Sequence, residues 1–140
     1  MREQTLKTKE LKVRSRTPYF GGYCLDENGV AYKVEDADKV AAFFYEGRQK
    51  FHKKDQLNIQ GKDLTVSTIF LGIDHGHCQE LEPVLWESAI IEPHEGEEDE
   101  FHIVQRYCSK DEAYEGHNLI CEALKKHGMS YLGSCKCIGE

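Results

Sequence analysis

Ten consecutive residues, Leu64-Thr-Val-Ser-Thr-Ile-Phe-Leu-Gly-Ile73, carry no charge in a chain where 31% of residues are charged. The run is rich in β-branched and aromatic side chains, and no residue in it needs solvent. It fits a central β-strand covered on both sides. Everything else must then supply its neighbours. Residues 84–91 and 101–108 have the composition of two further strands, and the polar stretch 51–59 suits a sheet edge. The link between the first two contains Glu95, Glu97, Glu98, Asp99 and Glu100, a solvated acidic tip or a weak calcium loop. If that tip closes a hairpin with Ile91 opposite His102, then Glu87 falls opposite Arg106 and Trp86 opposite Tyr107. A carboxylate inside an apolar strand needs such a partner.

The clearest helix follows. Ser109 and Glu112 form an S-x-x-E capping box. Ala113, Gly116, His117, Ile120, Cys121 and Leu124 recur at helical spacing. Lys125, Lys126 and His127 suit the negative end of the dipole, and Gly128 supplies the stop. The stripe predicts a helix laid across the sheet, with Gly116 allowing close approach. Upstream, residues 18–34 read as a β-hairpin turning at Asn28-Gly29, a pair that tolerates positive φ. Asp36 caps a short helix bearing Val40, Phe43 and Phe44, stopped at Gly47.

The fold class predicted is α+β: an antiparallel sheet, a C-terminal helix packed on one face, and an N-terminal β-hairpin plus short helix. With 140 residues, one core fills the chain. Residues 17–128 form that domain, 1–16 a basic flexible leader, and 129–140 a cysteine-containing tail. The leader holds six basic residues against two acidic ones, a balance of +4, so the body carries −11 and the whole chain a net −7. An acidic body disfavours general nucleic-acid binding. The six cysteines are scattered. With no signal-peptide pattern at the start and no apolar run of membrane-spanning length, the sequence predicts a cytoplasmic protein without a disulfide framework or membrane partner.

Chemistry concentrates where the uncharged run ends, at Asp74-His75-Gly76-His77-Cys78. His75, His77 and Cys78, joined by Cys135 and Cys137, are zinc-ligand types, but H-x-H-C with C-x-C is not a recurrent zinc spacing. No cofactor is therefore expected. Asp74, His75, Glu87, Arg106 and His117 are predicted to converge beside the sheet. Such a patch suits general acid–base work by His75, Glu87 and His117, or a pocket in which Arg106 forks onto a small anionic ligand.

Three segments carry a family resemblance: STIFLGIDH (67–75), PVLWESAI (83–90) and QRYCSKDEAYEGH (105–117). They resemble a group of small, uncharacterised bacteriophage and prophage proteins. That group shows a V-S-T-x-F-L-G-x-D-H strand, a P-x-L-F-E-T strand and an R-Y-S/C-T-W-x-E-A-x-x-G-H helix start. The likeness spans roughly residues 40–124. It departs from the pattern at Trp86, at Ser109-Lys110, and in the 76–82 link, so a zinc site using His77, Cys78, Cys135 and Cys137 would not be a group property.

The resemblance implies a setting, the host cytoplasm, rather than a reaction. The leading expectation is an accessory protein that binds a host protein or a small ligand, in counter-defence or host takeover, alone or as a homo-oligomer. The alternatives are a small hydrolase or nuclease-like enzyme using the His/Glu residues, and a minor virion component.

Overall fold

The computed structural model describes residues 22–76 and 82–135, excluding the side chain of Cys135. The fold is α+β. Strands β3 (Lys53–Ile59), β4 (Lys62–Phe70), β5 (Trp86–Glu92) and β6 (Glu100–Tyr107) form an antiparallel sheet in that order. A separate hairpin, β1 (Gly22–Leu25) and β2 (Ala31–Val34), precedes the short helix α1 (Ala37–Ala42). The long helix α2 spans Lys110–His127 and contacts all four sheet strands. A last short helix, α3, covers Ser130–Cys135. No helix among the described residues is long and apolar enough to cross a membrane.

Strand alternation divides the sheet into two unlike faces. Leu64, Val66 and Phe70 of β4 are buried toward α2, as are Trp86 and Ile90 of β5. Two apolar clusters result. Ile59, Leu64, Val66, Ile90, Val104, Ile120, Cys121 and Leu124 form one, and Leu25, Phe51, Phe70, Leu85, Trp86, Tyr107 and Ala113 form the other. On the opposite face Thr65, Ile69, Glu87, Ile91 and Ile103 are half-buried. The central strand is thus covered fully on one side only, and it ends at Phe70 rather than Ile73 because Gly72 turns the backbone at φ +81°.

Helix α2 has the predicted bounds and caps. Ser109 Oγ accepts from Glu112 N at 3.2 Å, and Gly128 takes φ +67° just past the last turn. Glu112 reaches back to Cys108 N at 3.3 Å, one residue ahead of the usual capping-box donor. Gly116 lets the Tyr107 ring lie directly against the helix backbone, a space that any Cβ would fill.

Two turns differ from the sequence pattern. At Asn28-Gly29 only Gly29 is left-handed, at φ +82°. The hairpin closes with a longer loop, in which Asp26 Oδ1 accepts from both Asn28 N and Val30 N. The tight two-residue turn with consecutive positive φ is Gln60-Gly61, at +52° and +86°, between β3 and β4. Gly47 does not stop a helix in the left-handed region. The chain continues through a wide turn, Phe43–Gly47, into a tight one, Arg48–Phe51, and the bare Gly47 Cα accommodates the Phe43 ring.

The tail boundary also moves. Leu132 of α3 is buried in the first cluster, with Met129 and Tyr131 packed against it. The packed body therefore reaches Leu132.

Candidate functional site

Thr68 and Ser88 sit opposite each other on the two central strands, and both point at α2. Two hydroxyls in an otherwise apolar layer require partners, and the helix supplies one. Its stripe places His117 over Thr68, with His117 Nδ1 2.7 Å from Thr68 Oγ1. Thr68 Oγ1 and Ser88 Oγ are hydrogen-bonded, and Tyr107 OH donates to Ser88 Oγ at 3.0 Å. At the other end His117 Nε2 lies 2.8 Å from Asp55 Oδ2. Asp55 sits opposite Val66 on β3 and is half exposed.

Donor counting fixes the direction of this chain. A carboxylate only accepts, so His117 Nε2 carries the proton. Nδ1 of the neutral ring then accepts from Thr68, Thr68 from Ser88, and Ser88 from Tyr107. Every proton points from Tyr107 toward Asp55, and each hydroxyl donates once. Burial pushes the His117 pKa below its ordinary value, although Asp55 pulls the other way. The imidazole is held neutral.

The order Thr68–His117–Asp55 has the composition of a hydroxyl–imidazole–carboxylate triad. Its geometry is structural instead. Thr68, Ser88 and His117 expose no surface, and both ring nitrogens of His117 are occupied. Cys121 lies close enough to Asp55 and His117 for the three to be metal-ligand candidates. Burial pushes the Cys121 thiol up, however, and a protonated thiol is a poor ligand.

The predicted patch is only partly assembled. Glu87 pairs with Arg106 in the expected register, and Arg106 Nε donates to Glu87 Oε2 at 3.0 Å. Glu87 lies opposite Ile69, and with Arg106 it faces away from α2, whereas His117 sits over Thr68 on the α2 face. Since neighbouring strand residues point to opposite faces, His117 cannot share a pocket with Glu87 and Arg106. Asp74 is structural: its Oδ1 accepts from Gly76 N and Val84 N, both at 2.8 Å, tying the link between β4 and β5. His75 is exposed, with Nδ1 2.8 Å from the Ile73 carbonyl. His77, Cys78 and Cys137, and the side chain of Cys135, lie outside the described residues.

Arg106 is two-fifths exposed at its side chain, but Glu87 only 14%, so removing the arginine strands a largely buried carboxylate. Arg106→Met is expected to cost about 1–3 kcal/mol in urea denaturation. A loss of only a few tenths of a kcal/mol would show that the pair acts as a solvent-screened surface bridge.

The β5–β6 half of this face is otherwise apolar, whereas the β3–β4 half carries Lys54, Gln56, Thr65 and Ser67. Ile69, Ile91 and Ile103 flank the ion pair, and Phe101, opposite Ile91, is 65% exposed. Beyond the Ile69 end lie Phe44 and Tyr45, with the Arg48 guanidinium 3.6 Å over the Phe44 ring. Sequence pattern signalled neither this surface nor Asp55, Thr68, Ser88 and Tyr107. The one usable clue was hydroxyl residues inside two apolar strands. Comparison with protein-family models, curated proteins and solved structures finds no match.

Proposed function

We propose that the chain is a binding module, a phage accessory protein that captures a host protein on the sheet face opposite α2, in counter-defence or host takeover. The observation carrying this reading is the exposed Phe101 beside half-buried Ile91 and Ile103, with the Glu87–Arg106 pair in the same layer. Aromatic and arginine side chains within an apolar surface are the makeup of interface centres, and a large exposed aromatic has no role in folding the monomer. The resemblance to phage proteins supports the setting. The acidic charge supports a protein partner over nucleic acid. An enzyme built on His75, Glu87 and His117 is not favoured, because His117 lies across the sheet from Glu87.

The test is Phe101→Asp. The side chain is mostly in solvent, so the melting temperature should stay within a few degrees of wild type. Immobilised wild-type chain is expected to retain one host protein stoichiometrically from extract. Retention by the variant should fall by about 30-fold, the loss of one hot-spot side chain. Equal retention by both chains overturns the assigned surface. Turnover of a phosphodiester or ester substrate that disappears in His75→Ala overturns the binding-module reading itself.

A further inference from the structure

The β5–β6 hairpin carries a Glu-x-His pattern on each side of its loop, Glu92-Pro93-His94 and Glu100-Phe101-His102. Glu100 and His102, two apart on β6, point the same way, and the ladder sets Glu92, the last residue of β5, directly opposite Glu100. The four side chains meet at the loop end of the hairpin. His102 Nε2 lies 3.0 Å from Glu92 Oε1 and 3.7 Å from Glu100 Oε2, and His94 Nε2 lies 2.9 Å from Glu100 Oε1. Glu92, His94 and Glu100 each present a ligand atom within 4.8 Å of the others. His102 and Glu92 are largely buried, while His94 and Glu100 open to solvent.

Two carboxylates facing each other across a ladder repel. Lys62 offsets only one of them, its Nζ 2.7 Å from Glu92 Oε2. That contact also turns Glu92 Oε1 toward the histidines. A tetrahedral ion with bonds of about 2.0–2.1 Å to nitrogen and oxygen needs ligand atoms about 3.3 Å apart. The 2.9 and 3.0 Å contacts lie near that edge, while the 3.7 Å contact runs to the other Glu100 oxygen, so His102 joins the trio of Glu92, His94 and Glu100 only when the Glu100 carboxylate turns. Two imidazoles and two carboxylates also form a neutral complex with a divalent ion, and mixed nitrogen–oxygen donors favour zinc over calcium or magnesium.

We infer that Glu92, His94, Glu100 and His102 form a binding site for a zinc-class divalent ion that clasps the two arms of the hairpin. Glu92 binds through Oε1 while Lys62 keeps Oε2. When the ion binds, each imidazole presents a bare Nε2 and carries its single proton on Nδ1 instead. The site is distinct from the cysteine-based zinc set considered from sequence, and it does not depend on the proposed binding surface.

The test uses the full chain, freed of any tag and of metal by chelation, with Zn2+ titrated calorimetrically and Co2+ as a spectroscopic probe. One Zn2+ per chain is expected, with tetrahedral Co2+ absorption and a zinc-dependent rise in melting temperature. His94→Ala removes a ligand at the exposed end, so its zinc-free melting temperature should match wild type. Outer-shell changes alone cost about 10–100-fold in affinity, and loss of this ligand should cost at least as much. Glu100→Gln should behave likewise. The Cys135→Ser, Cys137→Ser double variant should bind as wild type. Absence of saturable binding overturns the site, as does stoichiometric zinc that survives His94→Ala or is lost with the two cysteines.

Discussion

Ile120→Asp is expected to leave no folded protein, whereas Leu119→Asp, one residue earlier, should fold within about 0.5 kcal/mol of wild type. Ile120 is buried among Leu64, Val66, Ile90, Val104 and Leu124, at the centre of the larger cluster. Its replacement removes about 2–3 kcal/mol of apolar burial. It also forces a carboxylate into a layer with no cation to receive it, at a cost of several kcal/mol more. The sum is comparable to the whole stability of a domain this size, roughly 5–15 kcal/mol. Leu119 is 58% exposed, so a carboxylate there stays hydrated. Circular dichroism during a thermal scan reads both variants. A cooperative melt from Ile120→Asp, or unfolding caused by Leu119→Asp, would mean that α2 is rotated from the packing described.

Helix α2 is legible because independent signals agree on it: a capping serine, an apolar stripe, a basic last turn and a terminal glycine. The β5–β6 pairing is legible near its charged pair but fails beyond it. A bulge between Ser88 and Ala89 shifts the ladder by one residue, so Ile91 faces Phe101, not His102. Nothing in a sequence of β-branched residues marks where an extra residue will be taken up. That shift is also what sets Glu92 opposite Glu100.

The predicted His117–Glu87 convergence fails for a reason already present in the chain. Trp86 and Glu87 are neighbours on a strand, so a buried Trp86 commits Glu87 to the other face. The partners of His117 were hidden differently. Thr68 meets Ser88 only through the β4–β5 register, and that register is set across the 71–85 connection. No local turn signal fixes it.

His117→Leu is expected to destabilise the protein by about 1–3 kcal/mol at neutral pH, and the loss should not be repaired one partner at a time. Leucine fills most of the ring's space, so the main cost is polar. With Nδ1 gone, the Thr68 hydroxyl has no acceptor in a layer without exposed surface. Asp55 loses its donor too, but it is half exposed and water replaces it. Adding Thr68→Val moves the stranded proton to Ser88, which is equally buried. The third change, Ser88→Ala, passes it to Tyr107, whose hydroxyl is buried and packed against Gly116, so only a further Tyr107→Phe removes the last stranded proton. The quadruple variant should therefore recover most of the loss that the shorter series does not. Equal stepwise recovery would contradict the chain's single direction.

The same residue sets a pH dependence. Burial lowers its folded pKa, so below the unfolded value of about 6.5 the unfolded chain binds more protons than the folded one. Wild-type stability is full above that value and falls as the pH drops toward the folded pKa, by at most about 1.4 kcal/mol per pH unit from this group. His52, also lowered by burial, contributes with the same sign; His117 is only the last of the causes of its shift, so His52 largely cancels in the difference. The gap between wild type and His117→Leu should accordingly be widest at pH 8 and narrow at pH 5 in urea denaturation. A gap that stays constant between those two conditions would show that His117 titrates as it does in water, and that the relay does not hold it neutral.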